Sequence, residues 1–314
     1  MKSCYLGIDL GGTNFKYGVL DPASGIRTFK TSPIADIAYP DKAVDKISGL
    51  IFELSKRYEI KSAGLGVPGL VDFKTGYIHS LTNLRRWKNL HFKKMLEEKV
   101  GLPVLIDNDA NLAALAEYCL GSGEGSVNML MVTLGTGVGG GLILNGQIYR
   151  GINNAAGEIG HIPLSLNGPL CNCGGRGCLE AYIGNKRLLA YLNRRLKKEK
   201  SILNNRSGQI ELKDVSIAAQ RGDNLSVDFW KYTAGKLAQA LIGAVNLLNI
   251  DRIVIGGGIS DAGPFLIRPL KEYLKCLAMD IQAKNVKIVK ARFRGKAGVI
   301  GASLLAKHQN NMEA

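Results

Sequence analysis

No stretch of this chain approaches the roughly 18 consecutive apolar residues of a membrane span. The apolar run at its N-terminus is short and carries Asp9. Neither a membrane partner nor a secretory leader is expected, and the chain reads as cytoplasmic. The Gly-Lys-Ser/Thr end of a Walker A loop is missing. A Pro/Ser-rich linker is missing too, which favours a hinged pair of domains with a cleft over beads on a string. No base-reading helix-turn-helix precedes the first strand, which begins almost at Met1, so nucleic acid is not an expected partner. Histidine is scarce, with four in 314 residues. His79, His91 and His308 lack ligand-bearing company and take no role.

Glycine is in excess, at 39 of 314 residues against a usual ~7%. The glycines cluster without a period. Collagen and linker readings therefore fail, and loops where backbone approaches a ligand are indicated. The length allows two domains or one large one, with ample chain to bury a core. The 46% hydrophobic and 21% charged residues are ordinary for a globular protein. Lys and Arg outnumber Asp and Glu by 41 to 26, a net charge of +15. A nucleic-acid partner is one reading of that excess. A solvated helix face is the better one, since much of the charge sits in stretches such as Lys186–Lys200. Of the six cysteines, Cys171, Cys173 and Cys178 crowd together, while Cys4, Cys119 and Cys276 sit alone in apolar settings. Without a secretion signal, that crowding points to metal more than to disulfides.

Along the chain, Tyr5–Asp9 runs into Gly11-Gly12-Thr13, and further strands follow at Lys16–Leu20 and Ile26–Thr31. Helical spacing covers Lys42–Tyr58, Phe92–Val100 and Ala110–Leu120, with strands at Ala63–Val67 and Pro103–Ile106. The pattern then restarts. Val127–Leu134 ends in a Gly/Thr loop and leads to an Asn145-Gly146 hairpin. Helices are expected over 179–199, Leu225–Leu248, Pro264–Leu277 and Ala297–Lys307, and strands at Arg252–Ile255 and Val286–Lys290. Ile8-Asp9-Leu10-Gly11-Gly12-Thr13 and Thr133-Leu134-Gly135-Thr136-Gly137 open the two halves alike, a weak internal duplication. The division expected is a small α/β domain of residues 1–110 plus 297–314, and a large α/β domain of residues 111–296.

Glycine-rich turns offer backbone N–H groups to phosphates, and Thr13 and Thr136 add hydroxyls. The same turns also serve hairpins that hold nothing. Asp9, at a strand end, suits Mg²⁺ held through water. Gly135-x-Gly137-x-x-Gly140 matches the dinucleotide fingerprint in form, but a strand follows where that fingerprint needs a helix. Asp107-Asn108-Asp109 lies between a strand and a helix. Asp107 and Asn111 read best as plain caps, whereas Asp109 is well placed as a general base for phosphoryl transfer. His161, Cys171, Cys173 and Cys178 form a closed four-donor set suited to structural Zn²⁺. Reduced cysteines without metal are the other reading. Glu158 and Glu180 bracket this knuckle and suit sugar hydroxyls or plain surface, and His161 has a second nitrogen to offer a sugar.

Asp9-Leu-Gly-Gly-Thr13, Asp107-Asn-Asp109, Thr133-Leu-Gly-Thr-Gly137, Gly157-Glu-x-Gly-His161 and Cys171-x-Cys-Gly-x-x-Gly-Cys178-x-Glu180 together resemble the ROK family of repressors, open reading frames and sugar kinases. The match runs in order along essentially the whole chain. It implies a two-domain fold of the actin/hexokinase/Hsp70 (ribonuclease H-like) type with a cleft between domains, ATP and Mg²⁺ dependence, and a homodimer. By the resemblance, Asp109 is the catalytic base, and Gly66, Asn108, Glu158, His161 and Glu180 are on the sugar side. His161, Cys171, Cys173 and Cys178 are the zinc ligands. Asp9, Gly11, Gly12, Thr13, Thr136 and Gly137 form the phosphate loops, and Gly257 and Gly258 the adenosine side. One stretch departs. Where many family glucokinases carry Pro-Gly, this chain has Arg85-Arg86 within Asn83–Trp87, a place that bears on sugar selection. The expected activity is transfer of phosphate from ATP to the 6-hydroxyl of a hexose, glucose first. An N-acetylmannosamine or N-acetylglucosamine kinase is the alternative, and a sugar-responsive transcriptional regulator is more remote.

Overall fold

In a computed structural model, the described residues are 3–11, 14–82, 84 and 86–310, without the side chains of Asp36, Gln309 and Asn310. Gly12 and Thr13, expected in a phosphate loop, lie outside them, as do Asn83 and Arg85. The chain divides into two compact units. One comprises Met1–Gly121, Ile148–Ala156 and Gly295–Ala314, and the other Ser122–Gln147 and Gly157–Arg294. The division thus falls at Gly121 where sequence placed it at 110, and Ile148–Ala156 joins the first unit.

The first unit opens with an antiparallel meander, β1 (Ser3–Leu10), β2 (Asn14–Asp21) and β3 (Gly25–Pro33). Helix α1 (Pro40–Ser55) starts on a proline at its first turn and buries Val44, Ile47, Ile51 and Leu54 at helical spacing. It leads to β4 (Glu59–Val67), which lies parallel to β1. Short strands β5 (Gly69–Asp72), β6 (Tyr77–Leu81) and β7 (Lys88–Leu90) form a separate three-stranded sheet. Helix α2 (Phe92–Val100), strand β8 (Val104–Asn108) and helix α3 (Asp109–Leu120) follow. The main sheet runs β3-β2-β1-β4-β8. β1 and β4 are buried on both faces, which is why they read as unbroken apolar runs.

The second unit repeats that plan. β9 (Met129–Leu134) and β10 (Val138–Leu144) are antiparallel, with β11 (Gln147–Ile148) at the edge. Helices α4 (Leu179–Ile183), α5 (Asn185–Leu196), α6 (Leu212–Gln220) and α7 (Asn224–Leu248) precede β12 (Arg252–Gly256), which pairs parallel to β9. Helices α8 (Pro264–Leu277) and α9 (Asp280–Asn285) lead to β13 (Lys287–Lys290), parallel to β12. The order is β11-β10-β9-β12-β13, position for position that of the first sheet. The core gathers around α7, where Phe229, Leu237 and Leu241 are fully buried.

The last helix, α10 (Ala297–Asn310), returns to the first unit. It approaches the sheet backbone to backbone. A Cβ at Gly7 would stand 2.1 Å from Val299 O, and one at Gly64 would stand 2.0 Å from Ala302 O. Only glycine permits that approach.

The helix expected over 179–199 is two helices broken at Gly184, whose backbone is extended. The break lets the Asn185 N–H donate to Gly135 O at 3.0 Å, a tertiary bond that outweighs one more helical turn. Cys276, expected in an apolar setting, is exposed on α8. Within Asn83–Trp87, Trp87 is fully buried and donates to Ile37 O at 3.2 Å, and the Arg86 guanidinium lies 4.3 Å from the Tyr39 ring centroid. No helix among the described residues is long and apolar enough to cross a membrane.

Candidate active site

In the first unit, strand register brings the candidate residues together. Asp9 on β1 pairs with Gly66 on β4, and Gly66 pairs with Asp107 on β8. These positions lie at the carboxyl ends of parallel strands, where α/β sheets place ligands. A Cβ at Gly66 would stand 3.6 Å from Asp9 Oδ1 and 3.7 Å from the Asp109 Cα, so Gly66 is the spacer between the two acids. A Cβ at Gly298, in the first turn of α10, would stand 2.5 Å from the Asp9 carboxyl carbon. Asp9 keeps some exposure while protein packs round its carboxylate. Burial raises its pKa above the ordinary carboxylate range, and Lys16 across the hairpin opposes that. Gly11 closes the hairpin, its N–H donating to Asn14 O at 2.9 Å.

The turn from β8 into α3 is built differently from its sequence reading. The cap is Asn108, whose side chain accepts from the N–H groups of Ala110 and Asn111 at 2.9 and 3.4 Å. Its amide donates to Gly69 O at 3.2 Å. Asp107, read as a plain cap, is instead a buried ion pair: its Oδ2 accepts from Arg150 Nε and Nη2 at 3.0 and 2.7 Å. A carboxylate 2% exposed needs such a partner. Asn111, the other expected cap, donates to Asp107 Oδ1 at 3.0 Å. Asp109 opens α3, partly exposed, with Oδ1 accepting from the Ala110 N–H at 2.9 Å.

In the second unit, His161 Nδ1 lies 3.7 Å from Cys171 Sγ, and Cys173 Sγ lies 3.7 Å from Cys178 Sγ. The four donor atoms all lie within 4.8 Å of one another. Zinc–sulfur bonds of about 2.3 Å in a tetrahedron put sulfur atoms about 3.8 Å apart, whereas a disulfide needs about 2.05 Å. The donor set thus fits a tetrahedral thiophilic metal and not a disulfide. Burial and the hydrogen bonds of the neighbouring thiols push Cys178 up to about 12, while the Gly175 N–H draws Cys173 down. Metal binding at neutral pH would release these protons. His161 Nε2 faces Glu158 Oε2 at 3.8 Å, so its two nitrogens look to different groups.

Glu180 joins the knuckle to the Gly/Thr loop. Its Oε2 accepts from the Val138 N–H at 2.9 Å, and its Oε1 lies 3.9 Å from Cys171 Sγ. A Cβ at Gly137 would stand 2.3 Å from Glu180 Oε2. Thr136 beside it is exposed. At the end of β12, Gly257 has φ +81° and its Cβ would strike Leu134 O at 2.1 Å, whereas Gly258 and Gly135 face open space.

The ROK family model matches residues 5–309. The chain belongs to the ROK family. Among curated proteins, this ROK protein is 37% identical over 329 aligned positions to a glucokinase of Halalkalibacterium halodurans, across 98% of this chain and 96% of that one. Among solved structures, it superposes on a ROK-family glucokinase from Streptomyces griseus in complex with glucose and AMPPNP with a TM-score of 0.82 and 32% identity, covering 97% and 99% of the two chains. A ROK-family transcriptional regulator, a homologue of the E. coli MLC protein, superposes with a TM-score of 0.89 and 26% identity, covering 97% of this chain and 78% of the regulator. The fold is that of the actin/hexokinase-like sugar kinases. Arg150 and Phe73, which hold the Asp107 turn, escaped the sequence reading. The one available signal was the acid itself, because an aspartate at a buried strand end requires a cation from somewhere in the chain.

Proposed function

We propose that this protein is an ATP-dependent glucokinase that makes glucose 6-phosphate. The observation carrying this reading is 37% identity to a glucokinase across 98% of the chain. The glucose 6-oxygen forms a bond to the terminal phosphorus as the bond to the ADP oxygen breaks, and Asp109 takes the hydroxyl proton. Its place at the partly exposed start of α3, held by the Asn108 cap, supports that role. Asn108, Glu158, His161 and Glu180 bind sugar hydroxyls, and Gly66 leaves them room. Gly11, Gly12, Thr13, Thr136 and Gly137 cradle the phosphates, and Gly257 and Gly258 take the adenosine side. The open space over Gly258 supports that last assignment.

Asp9 would hold Mg²⁺, which when bound neutralises charge on the phosphates. A closely packed carboxylate with a raised pKa gains from a cation's arrival. His161, Cys171, Cys173 and Cys178 would hold Zn²⁺, whose part is to brace the loop, since all four donors come from protein. The enzyme works in the cytoplasm as a homodimer, which light scattering would report at twice 33.8 kDa.

The test is steady-state ADP release with Mg-ATP and glucose, mannose, N-acetylmannosamine or N-acetylglucosamine. Glucose is expected to give the highest kcat/KM. A preference for an N-acetylated sugar would reassign the substrate, and turnover of none would overturn the kinase reading.

A further inference from the structure

Asp107 is an acid that the proposed phosphoryl transfer does not use, and both of its oxygens are occupied. Oδ2 accepts the two bonds from Arg150. Oδ1 accepts from the Asn108 N–H at 2.7 Å and from Asn111 Nδ2 at 3.0 Å. The Oδ1 donors flank Asp109, so the orientation of this carboxylate sets the peptide that enters α3. Arg150 is itself held. Its guanidinium carbon lies 3.6 Å from the centroid of the Phe73 ring, in the turn between β5 and β6. Its carbonyl accepts from the Ala156 N–H at 3.0 Å and closes its loop, and Asn154 in that loop reaches Asp72 Oδ2 at 3.5 Å.

We propose that Arg150 is a positioning residue for phosphoryl transfer, acting through Asp107 to hold the Asn108–Asp109 turn in its working geometry. The proposal rests on Asp109 being the proton acceptor. A buried carboxylate deprived of its cation either takes a proton or swings toward water. Each outcome disturbs the Oδ1 bonds to Asn108 and Asn111. A displacement of about 1 Å at a reacting group costs on the order of 10²-fold in rate. Lysine is no substitute, because a single ammonium cannot present two fixed N–H groups to one oxygen while stacking flat on Phe73.

The experiment compares wild type, Arg150→Met, Arg150→Lys, Asp107→Asn and the Arg150→Met/Asp107→Asn pair, all assayed well below the lowest Tm of the set. Arg150→Met should lower kcat about 30- to 100-fold and leave the glucose KM within about threefold. Arg150→Lys should keep most of the Tm and still lose about tenfold in kcat. It carries the test alone should Arg150→Met fail to fold. The double variant should lose no more than the worse single, as expected for two residues acting as one unit. A lowered Tm with wild-type kcat would mean a purely structural ion pair and overturn the proposal, as would additive losses in the double variant. An active wild type with unaffected variants overturns this inference alone, whereas a wild type inactive on every sugar overturns the kinase reading and this inference with it.

Discussion

In the first unit, Asp9 stands beside Gly66 where β1 and β4 end; in the second, Thr133 stands beside Gly256 where β9 and β12 end. The strand order is shared, but the equipment is not. The first unit gathers acids, Asp9, Asp107 and Asp109, around a backbone with little room. The second presents open glycines and a sulfur-rich knuckle. A duplicated scaffold thus supports different chemistry because strand ends tolerate polar substitution while the strands, buried on both faces, do not. Of the first unit's acids, Asp9 also costs stability once ionised, because burial raises its pKa, in keeping with the cost that functional sites commonly carry.

That division of labour can be broken in order of effect. Asp109→Asn in the first unit should lower kcat about 10³-fold while glucose affinity by calorimetry changes less than about threefold. Equal losses in both would remove the proton-acceptor role. Asp9→Asn should lower kcat about 10²-fold and raise the Mg²⁺ requirement. It should also raise the Tm of the ligand-free protein. The folded pKa of Asp9 lies above its unfolded value, so stability is full below the unfolded pKa and falls as pH rises through the folded one. Above the unfolded pKa this acid is therefore a cost that asparagine removes, and a lowered Tm would contradict this.

In the second unit, Cys173→Ser or chelation should lower the Tm by about 5–10 °C and raise the glucose KM, with kcat least affected. Unchanged metal content and Tm in Cys173→Ser would dismiss the metal. The smallest effect concerns Asp223, the cap of α7, which accepts from Ser226 N and Oγ, Ile202 N and Ser201 Oγ at 2.9, 2.6, 3.0 and 2.9 Å. Burial works against its charge, but these bonds hold its pKa below the ordinary range. Its contribution is therefore present above the unfolded pKa and lost as pH falls through the folded one, opposite in sign to Asp9. Asp223→Asn should cost about 1 kcal/mol at neutral pH, and urea unfolding should show that gap closing below about pH 4.

Much of the candidate site was legible because its pieces are short. The Cys-x-Cys knuckle and the Gly/Thr loop each lie within a few residues, and their spacing reports their local geometry. The Asp107–Asp109 turn was legible in place but not in its bonding, because Asp107 pairs with distant Arg150. Helices such as α2 and α8 were legible to the residue from apolar period and end signals. The sheet β5–β7 was not, since its strands are three to five residues long and carry too little alternation to register. The break at Gly184 was missed because periodicity continues across it while a bond to Gly135 decides against the helix.

Composition and motif order alone already specified a two-part α/β chain of the ROK type, since metal knuckles, glycine turns and strand-end acids are encoded by neighbours in sequence. What required the folded chain were the pairings between distant residues. Arg150 reaches back to Asp107, Glu180 folds onto Val138, and Gly66 separates Asp9 from Asp109. A buried charge must find its partner wherever packing brings one, and no local pattern records which residue that will be.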